Sequence, residues 1–487
     1  MQKGLSETDR SALDAYLVNY KRHVLLSRQD NALLLTDTEN AIVSLIEKGV
    51  PLTEALSRLD ADNLGGFYAR PAIVWYPLDD AAKIYPLSMK HGQMALFRLS
   101  VCLKEDVDPS LLQMALTFTI KRFPFFATTV KKGFFWHYLD SSKRRFNIEP
   151  EQCLPCQPMT ISRSGSPSFR VLFYKNRISV EFFHILTDGT GGMAFLKTLV
   201  SEYLRISGVS CSYEGDMIDP NGTPTEDELS NQFPKTEHKG KASGFMGKAA
   251  LQLGGRLSRT RPCRVIQFQM DAEQLKEAAK AHQATITSYM LSKLFLACRQ
   301  ASDETDGFFN IQIPVNMRKF YPSRTMRNFA MYCGIQISAE KIDDNADLIG
   351  EIKTQMEAKT SKEKMSEMVR STEHIVSGVR YVPLFIKKPI AGIIYGFLGD
   401  KAFTTTLSNL GVITFPDALA GHIQSMDFVL GTAVVNRANC SLVTFGNTST
   451  LSIEKLTADP SFEESLYALL EKDGITVHVE GSELYAN

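Results

Sequence analysis

The sequence predicts an α+β (mixed α/β) protein of two lobes behind a small N-terminal helical appendage. Three observations carry this expectation. The chain has 487 residues, beyond the size at which a single hydrophobic core usually keeps growing. Strand-like and helix-like patterns are interspersed on both sides of its middle. Between them, an aperiodic stretch rich in Pro, Gly, Ser and Lys reads as a surface connection. The expected division is 1–70 for the appendage, 71–215 for the first lobe, 216–262 for the connector and 263–487 for the second lobe.

In the appendage one helix is punctuated: Thr36 as N-cap, Glu39 as its capping-box partner, an Ile42, Leu45 and Ile46 stripe, and Gly49 as stop. The first lobe opens on a strand over Gln93–Leu103 and a helix begun by Asp108-Pro109 and stopped at Phe123-Pro124. Phe169–Tyr174, a Lys175-Asn176-Arg177 turn and Ile178–His184 predict a hairpin. A helical stripe of Met193, Leu196, Leu199, Val200 and Tyr203 follows, leaving His184–Gly192 as a strand-to-helix loop. In the second lobe a strand over Arg264–Met270 precedes helices Ala272–His282 and Thr287–Arg299 and a strand Phe309–Asn316. Further strands are expected at Gly411–Phe415, Ile423–Val429, Cys440–Phe445, Thr450–Glu454 and Ile475–Val479, with a helix at Ser461–Glu471.

Composition narrows the function classes. The 54 Lys and Arg balance 54 Asp and Glu, so no global field exists to hold nucleic acid. The first residues carry no apolar run of secretory type, and no segment reaches the length of a transmembrane helix. The most apolar stretch, Pro389–Gly399, is short and holds three glycines and a proline, as a core segment or channel wall would. Eight scattered cysteines read as free thiols in a reducing compartment, and Cys153-Leu-Pro-Cys156 has no second pair to complete a metal site. A cytoplasmic location follows as the expectation. Neither a Gly-x-Ser-x-Gly elbow nor a phosphate-binding Gly-rich loop ending in Lys-Ser/Thr is present.

One segment carries chemistry. In His184-Ile185-Leu186-Thr187-Asp188-Gly189, alternation along the strand delivers an imidazole from an apolar sheet face. Near neutral pH such an imidazole is largely uncharged and able to accept a proton. Gly189, Gly191 and Gly192 permit a tight loop and close approach of backbone. Asp188 reads as a structural carboxylate that pairs with an arginine and locks the loop. With nine histidines and 31 glycines, a His-x-x-x-Asp-Gly string arises by chance in only about 3% of such compositions.

The segment resembles the signature of the CoA-dependent acyltransferase superfamily, which includes chloramphenicol acetyltransferases, wax ester synthases and nonribosomal peptide condensation domains. Ile313-Pro-Val-Asn-Met-Arg318 with Arg327-Asn328-Phe329, and Thr406-Leu-Ser-Asn-Leu-Gly411, are similar to two further stretches of these enzymes. The likeness spans about residues 72–487 and is closest to bacterial alcohol acetyltransferase-like proteins. Phe183 stands where condensation domains have a first histidine, and Asp427-Phe428-Val-Leu-Gly431 only partly echoes the plant-type motif.

The resemblance implies two chloramphenicol acetyltransferase-like lobes in a pseudo-dimer with a central channel. It implies His184 as base, Asp188 and Gly189 in the motif, Arg318 holding Asp188, Asn328 in support, and Ser408 or Asn409 as oxyanion donor. The implied cosubstrate is acyl-CoA, with an acetyl donor expected, no permanently bound cofactor and no metal. An alcohol or amine is the expected acceptor. A carrier-protein thioester donor is the alternative within enzymes, and a non-catalytic scaffold, marked by Phe183 or Phe195 plugging the channel, is the alternative outside them. Arg256, Arg259, Arg261 and Arg264 form a basic cluster that fits either CoA phosphates or a solvated connector.

Overall fold

The computed structural model describes residues 6–64, 75–88, 94–141, 145–159, 166–235, 249–260, 262–343, 347–387, 400–431 and 436–482. Gln93, Arg261 and the apolar run at 389–399 lie outside them.

Three helices open the chain: α1 (Glu7–His23), α2 (Arg28–Glu47) and α3 (Leu52–Arg58). Ser27, not Thr36, caps α2, its Oγ accepting from the Asp30 amide at 3.1 Å. Thr36 lies inside the helix with its hydroxyl turned back onto Ala32 O at 3.0 Å, a mid-helix habit of threonine that resembles a cap in sequence. Gly49 does end the helix region, at φ +83°. Leu34, Ala41, Ile42 and Leu45 are buried in the same core as the first lobe. The appendage is therefore packed into that lobe, with Lys48 and Ser44 bonding Asp108.

The first lobe contains β1 (Trp75–Pro77), α4 (Asp80–Ser88), β2 (Leu96–Leu103), α5 (Pro109–Ile120), β3 (Thr128–Lys132) and β4 (His137–Ser141). It continues through β5 (Ile148–Pro150), β6 (Ser166–Pro167), β7 (Phe169–Tyr174), β8 (Arg177–Phe183) and α6 (Gly189–Ser207). Asp108 caps α5 through the Ser110 and Leu111 amides, and β7 and β8 form the expected hairpin around Lys175-Asn176, with Lys175 at positive φ. The connector holds a short helix, α7 (Glu226–Leu229), closed by a Thr225/Glu228 capping box.

The second lobe contains β9 (Arg264–Asp271), α8 (Ala272–Ala281), α9 (Ile286–Gln300), β10 (Phe308–Asn316), β11 (Ala330–Ser338), α10 (Leu348–Lys359) and α11 (Lys362–Gly378). After these come β12 (Thr405–Ile413), α12 (Asp417–Ala420), β13 (Ile423–Leu430), β14 (Ala438–Phe445), β15 (Thr448–Lys455), α13 (Ser461–Lys472) and β16 (Val477–Gly481). The strand expected at Gly411–Phe415 begins earlier, because Thr405 to Asn409 pair with β10 and β14 and a bulge follows Asn409. β11, α10 and α11 were not visible in the sequence pattern. The eighteen residues from Ala330 to Asp347 alternate only weakly in polarity, and β11 is defined instead by nine residue pairs with β10.

Among the described residues three sheets result, ordered β13-β2-β8-β7-β5, β11-β10-β12-β14-β15-β9-β16 and β1-β4-β3-β6. The first crosses the lobe division: β13, from the C-terminal half, pairs antiparallel with β2 as its edge strand. Two hydrophobic clusters form, one around the first sheet and one within the second lobe.

Alternation splits the first sheet into an apolar and a polar face. Leu99, Val101, Ile178 and Val180 pack into the core, while Arg98 stands opposite Glu181 and Ser100 opposite Ser179. Glu181 is fully buried and binds Arg98, Arg170 and the Cys156 amide, a paired arrangement that a buried charge requires. Glu454, on β15 opposite Asn439, is less well served: neither of its buried oxygens makes a hydrogen bond of good geometry. Burial, reinforced by Glu181, pushes its pKa well above 4.5.

A carboxyl with a raised folded pKa holds its proton more tightly when folded, so stability falls as pH rises from the unfolded value through the raised one. Glu454→Gln removes that loss. Scanning calorimetry is expected to show the variant about 2–4 °C more stable than the native chain at about pH 8, with the difference vanishing at about pH 4.

Candidate functional site

The β8 strand delivers its last residues to the lobe junction. The His184 amide donates to Ala95 O at 2.8 Å, and the Leu186 amide to Phe183 O at 2.9 Å, which turns the chain sharply after the strand. The loop is shorter than the sequence pattern indicated, because α6 begins at Gly189. Asp188 is the cap that starts it. Its Oδ1 accepts from the Thr190 and Gly191 amides at 3.1 and 3.2 Å.

The other Asp188 oxygen faces the second lobe. Oδ2 accepts from Arg318 Nη1 and from the Phe329 amide, both at 2.7 Å. Arg318 is itself held in place: it sits in a short 3₁₀ turn, and its Nη2 donates to Thr325 O and Arg327 O at 2.7 and 3.0 Å. Both lone-pair regions of the carboxylate are thus spent on structure. Among the described residues no hydrogen bond joins Asp188 to His184.

Three glycines make the junction possible. A Cβ on Gly191 would lie 2.3 Å from Met326 O, and one on Gly192 3.0 Å from the Phe97 ring. A Cβ on Gly189 would meet Leu410 Cδ2 at 2.6 Å. Met326 and Leu410 belong to the second half, so the spacing of small residues after Asp188 records how closely the lobes approach there. Thr187 Oγ1 donates to Met326 O at 2.7 Å, and Asn316 Nδ2 to Thr190 Oγ1 at 3.2 Å.

His184 is part-buried between two aromatic rings. Tyr85 stacks on it at 5.1 Å between centroids, and Phe97 meets it edge-on at 5.3 Å. Loss of hydration holds the imidazole pKa below 6.5 even though the Asp188 charge pulls the other way. Asn328 Nδ2 donates to His184 O at 3.1 Å and lies 3.3 Å from Nδ1. A backbone hydrogen bond of the ring within the residue itself favours the protonated form but does not outweigh burial, and the neutral tautomer with its proton on Nδ1 is the one that leaves the Nε2 lone pair open. The Tyr85 hydroxyl engages Asn328 in turn, and burial pushes its pKa up to about 12.

Tyr85 and Phe97 were not singled out in the sequence. Tyr85 lies in a short helix with an internal proline and Phe97 in a run of apolar strand residues, and neither pattern marks a ring as a neighbour of the histidine. Ser408 and Asn409, adjacent in sequence, separate in space. The Asn409 amide donates to Thr287 Oγ1 at 3.0 Å, and its oxygen accepts from the Gly411 amide at 2.8 Å. Ser408 is buried and lies on the strand face that bears Thr406, away from the core residue Leu407. Phe195 stacks flat on Phe126 inside the first-lobe core, so it does not fill a channel. Arg256 and Arg259 are exposed just ahead of β9, and Arg264 pairs across the ladder with Lys455.

A family model described as alcohol acetyltransferase matches residues 258–453. The stretch contains Arg318, Asn328, Ser408 and Asn409, while His184 precedes it. No curated protein matches the chain in sequence. Among solved structures it is similar to the trichothecene 15-O-acetyltransferase TRI3 from Fusarium sporotrichioides, at 13% identity over 82% of this chain and 94% of that one, with a TM-score of 0.54. TRI101 from F. sporotrichioides, complexed with coenzyme A and T-2, aligns at 12% identity over 83% and 99%, TM-score 0.56. The epimerization domain from the third module of tyrocidine synthetase B aligns at 12% over 83% and 97%, TM-score 0.52. The chain therefore has the fold shared by CoA-dependent acyltransferases and condensation-type domains.

Breaking the junction has a measurable cost. Asp188→Asn keeps a helix-capping oxygen but leaves the buried Arg318 guanidinium without its counter-charge. Urea unfolding is expected to show a loss of about 3–5 kcal/mol, and an unchanged midpoint would show that Arg318 finds another partner.

Proposed function

We propose that this chain transfers an acyl group, acetyl in the simplest case, from acyl-coenzyme A to an alcohol, with His184 as general base. The observation that carries the reading is an imidazole at the lobe junction whose Nδ1 faces Asn328, with no hydrogen bond to Nε2 among the described residues, and whose pKa burial lowers. Support comes from the alcohol acetyltransferase match over 258–453 and from the shared fold. The acceptor hydroxyl gives its proton to Nε2 as its oxygen attacks the thioester carbonyl. Of the two candidates we assign the oxyanion donor to the Ser408 hydroxyl, because the Asn409 side chain is engaged by Thr287 and Gly411. The tetrahedral species collapses to the ester as the C–S bond breaks, and the imidazolium returns its proton to the departing thiolate. No acyl-enzyme is formed.

Asp188 takes no proton in this scheme. It fixes the loop that carries the base, with Arg318 as the partner from the other lobe. Asn328 and Tyr85 set the plane of the ring, since a misplaced base loses much of the benefit of a bound acceptor.

Thiol release from acyl-CoA in the presence of small alcohols tests the reading. His184→Ala is expected to lower kcat by about 10³-fold or more with the fold and acyl-CoA binding intact. Equal rates for the two proteins would remove His184 from the reaction. Ser408→Ala is expected to lower kcat by about 10²-fold with little change in the KM for acyl-CoA.

The pH dependence has a defined sign. The neutral imidazole is the active form and burial lowers its pKa, so kcat/KM rises with pH along a limb whose midpoint lies below 6.5 and is flat at neutrality. A midpoint above 6.5 would mean that the group titrating is not this imidazole in this environment.

A further inference from the structure

One face gathers six of the large apolar side chains that are exposed among the described residues. Trp75, Phe134, Tyr381 and Phe385 are 63%, 67%, 75% and 73% exposed, and Phe135 and Ile386 lie among them. They come from distant parts of the chain. The turn between β3 and β4 reads Lys131-Lys132-Gly133-Phe134-Phe135-Trp136 and is closed by the Gly133 amide donating to Trp136 O at 3.0 Å. The segment after α11 is tied to it, with the Leu384 amide donating to Phe134 O at 2.8 Å and Lys387 Nζ to Phe135 O at 2.9 Å. The Phe135 ring meets both Phe134 and Tyr381 edge-on.

Cations surround these rings. Lys387 lies 3.2 Å above the Trp136 ring and Lys83 5.6 Å from it. Asp140 is taken by Lys131 and Asp80 by Lys83. Lys132 and Arg380 have no carboxylate partner among the described residues. Behind the rim lies a cavity of about 860 Å³ whose wall includes Trp75, Trp136, Tyr138 and Tyr381.

We propose that this aromatic rim docks the protein on the surface of an anionic phospholipid bilayer. Protruding Trp and Phe rings with lysines and an arginine beside them match the chemistry of the bilayer interface, where rings enter the headgroup boundary and long cationic side chains reach back to phosphates. The unpartnered Lys132 and Arg380 supply the charge complementarity to anionic headgroups. A protein partner would call for a rim with fewer lysines and a more continuous apolar centre.

The docking face is linked to the histidine by one helix. Asp80 and Lys83 of α4 line the cavity, and Tyr85 of the same helix stacks on His184. An alcohol dissolved in the membrane thus meets, at the docking face, a cavity that shares helix α4 with the neighbour of the proposed base. This consequence rests on the acyltransfer reading, whereas docking itself does not.

The chain carries its own probe, because its two tryptophans, Trp75 and Trp136, are both on this face. Tryptophan emission of the full chain is titrated, without substrates, with phosphatidylcholine vesicles and with vesicles that also contain phosphatidylglycerol. The expected result is a blue shift and quenching by brominated acyl chains, both stronger with the anionic vesicles. The double variant Phe134→Ser, Phe385→Ser, at two exposed rings outside the cavity wall, is expected to weaken vesicle binding by about tenfold or more while thiol release with a water-soluble alcohol continues at the native rate. Emission unchanged at saturating lipid, or equal binding by the variant, would overturn the proposal. Concentration-dependent self-association that buries the tryptophans without vesicles would overturn it in favour of a second copy of the chain. Should vesicles bind while no acyl transfer is found, docking stands and the acyltransfer reading fails.

Discussion

The Asp188 carboxylate accepts from two amides of its own helix on one oxygen, and from Arg318 and the Phe329 amide of the other lobe on the second. Helix α6, the turn that presents His184, and the 3₁₀ turn that carries Arg318 therefore share one anchor. A buried carboxylate is costly to desolvate and is tolerated only when its acceptor sites are filled. Here filling them requires the two lobes to be in register, so the ion pair ties lobe docking to the conformation of the motif loop. The glycines that follow let the second half approach to within contact of the loop backbone.

A second fastening runs parallel to the first. Arg327, next to Asn328, pairs with buried Asp79 at 2.6 Å, donates to Pro77 O, and lies 4.6 Å over the Phe125 ring. Asp79 precedes α4, and α4 carries Tyr85, so the short stretch Arg327–Phe329 orients the histidine from several sides: through the Asn328 amide, through Tyr85, and through the Phe329 amide on Asp188. Burial without a direct charge partner then leaves the imidazole neutral. No carboxylate stands at Nδ1 among the described residues; Asn328 faces it instead and also donates to the His184 carbonyl, which holds the residue without adding charge.

Elsewhere the lobes meet through polar faces. Arg98 and Arg170 pair with Glu181, Ser441 Oγ donates to Phe428 O across the sheets, and the Glu454 carboxyl is left without a hydrogen bond of good geometry. Such an interface is specific because each group must find its partner, and β13, which crosses to the first sheet, places the C-terminal half in that register.

By itself the sequence determined what acts over a few residues. The cap at Asp108, the β7–β8 hairpin, the apolar face of β8 and the strand-to-helix step after His184 all follow from period and turn chemistry within about ten residues. It also marked His184 and Asp188 as an improbable string, and Arg318 and Asn328 through the resemblance of their segments to stretches of a known superfamily. Only the tertiary structure decided how they meet: Arg318 lies 130 residues from Asp188 and Asn328 lies 144 from His184, separations at which spacing carries no geometric information. The same holds for Tyr85 and Phe97 against the imidazole, for β11 as a strand completed by its neighbour, and for Asn409 turning to Thr287 while Ser408 takes the other face. These are decided by packing, in which a side chain's partner is set by the whole fold rather than by its sequence neighbours.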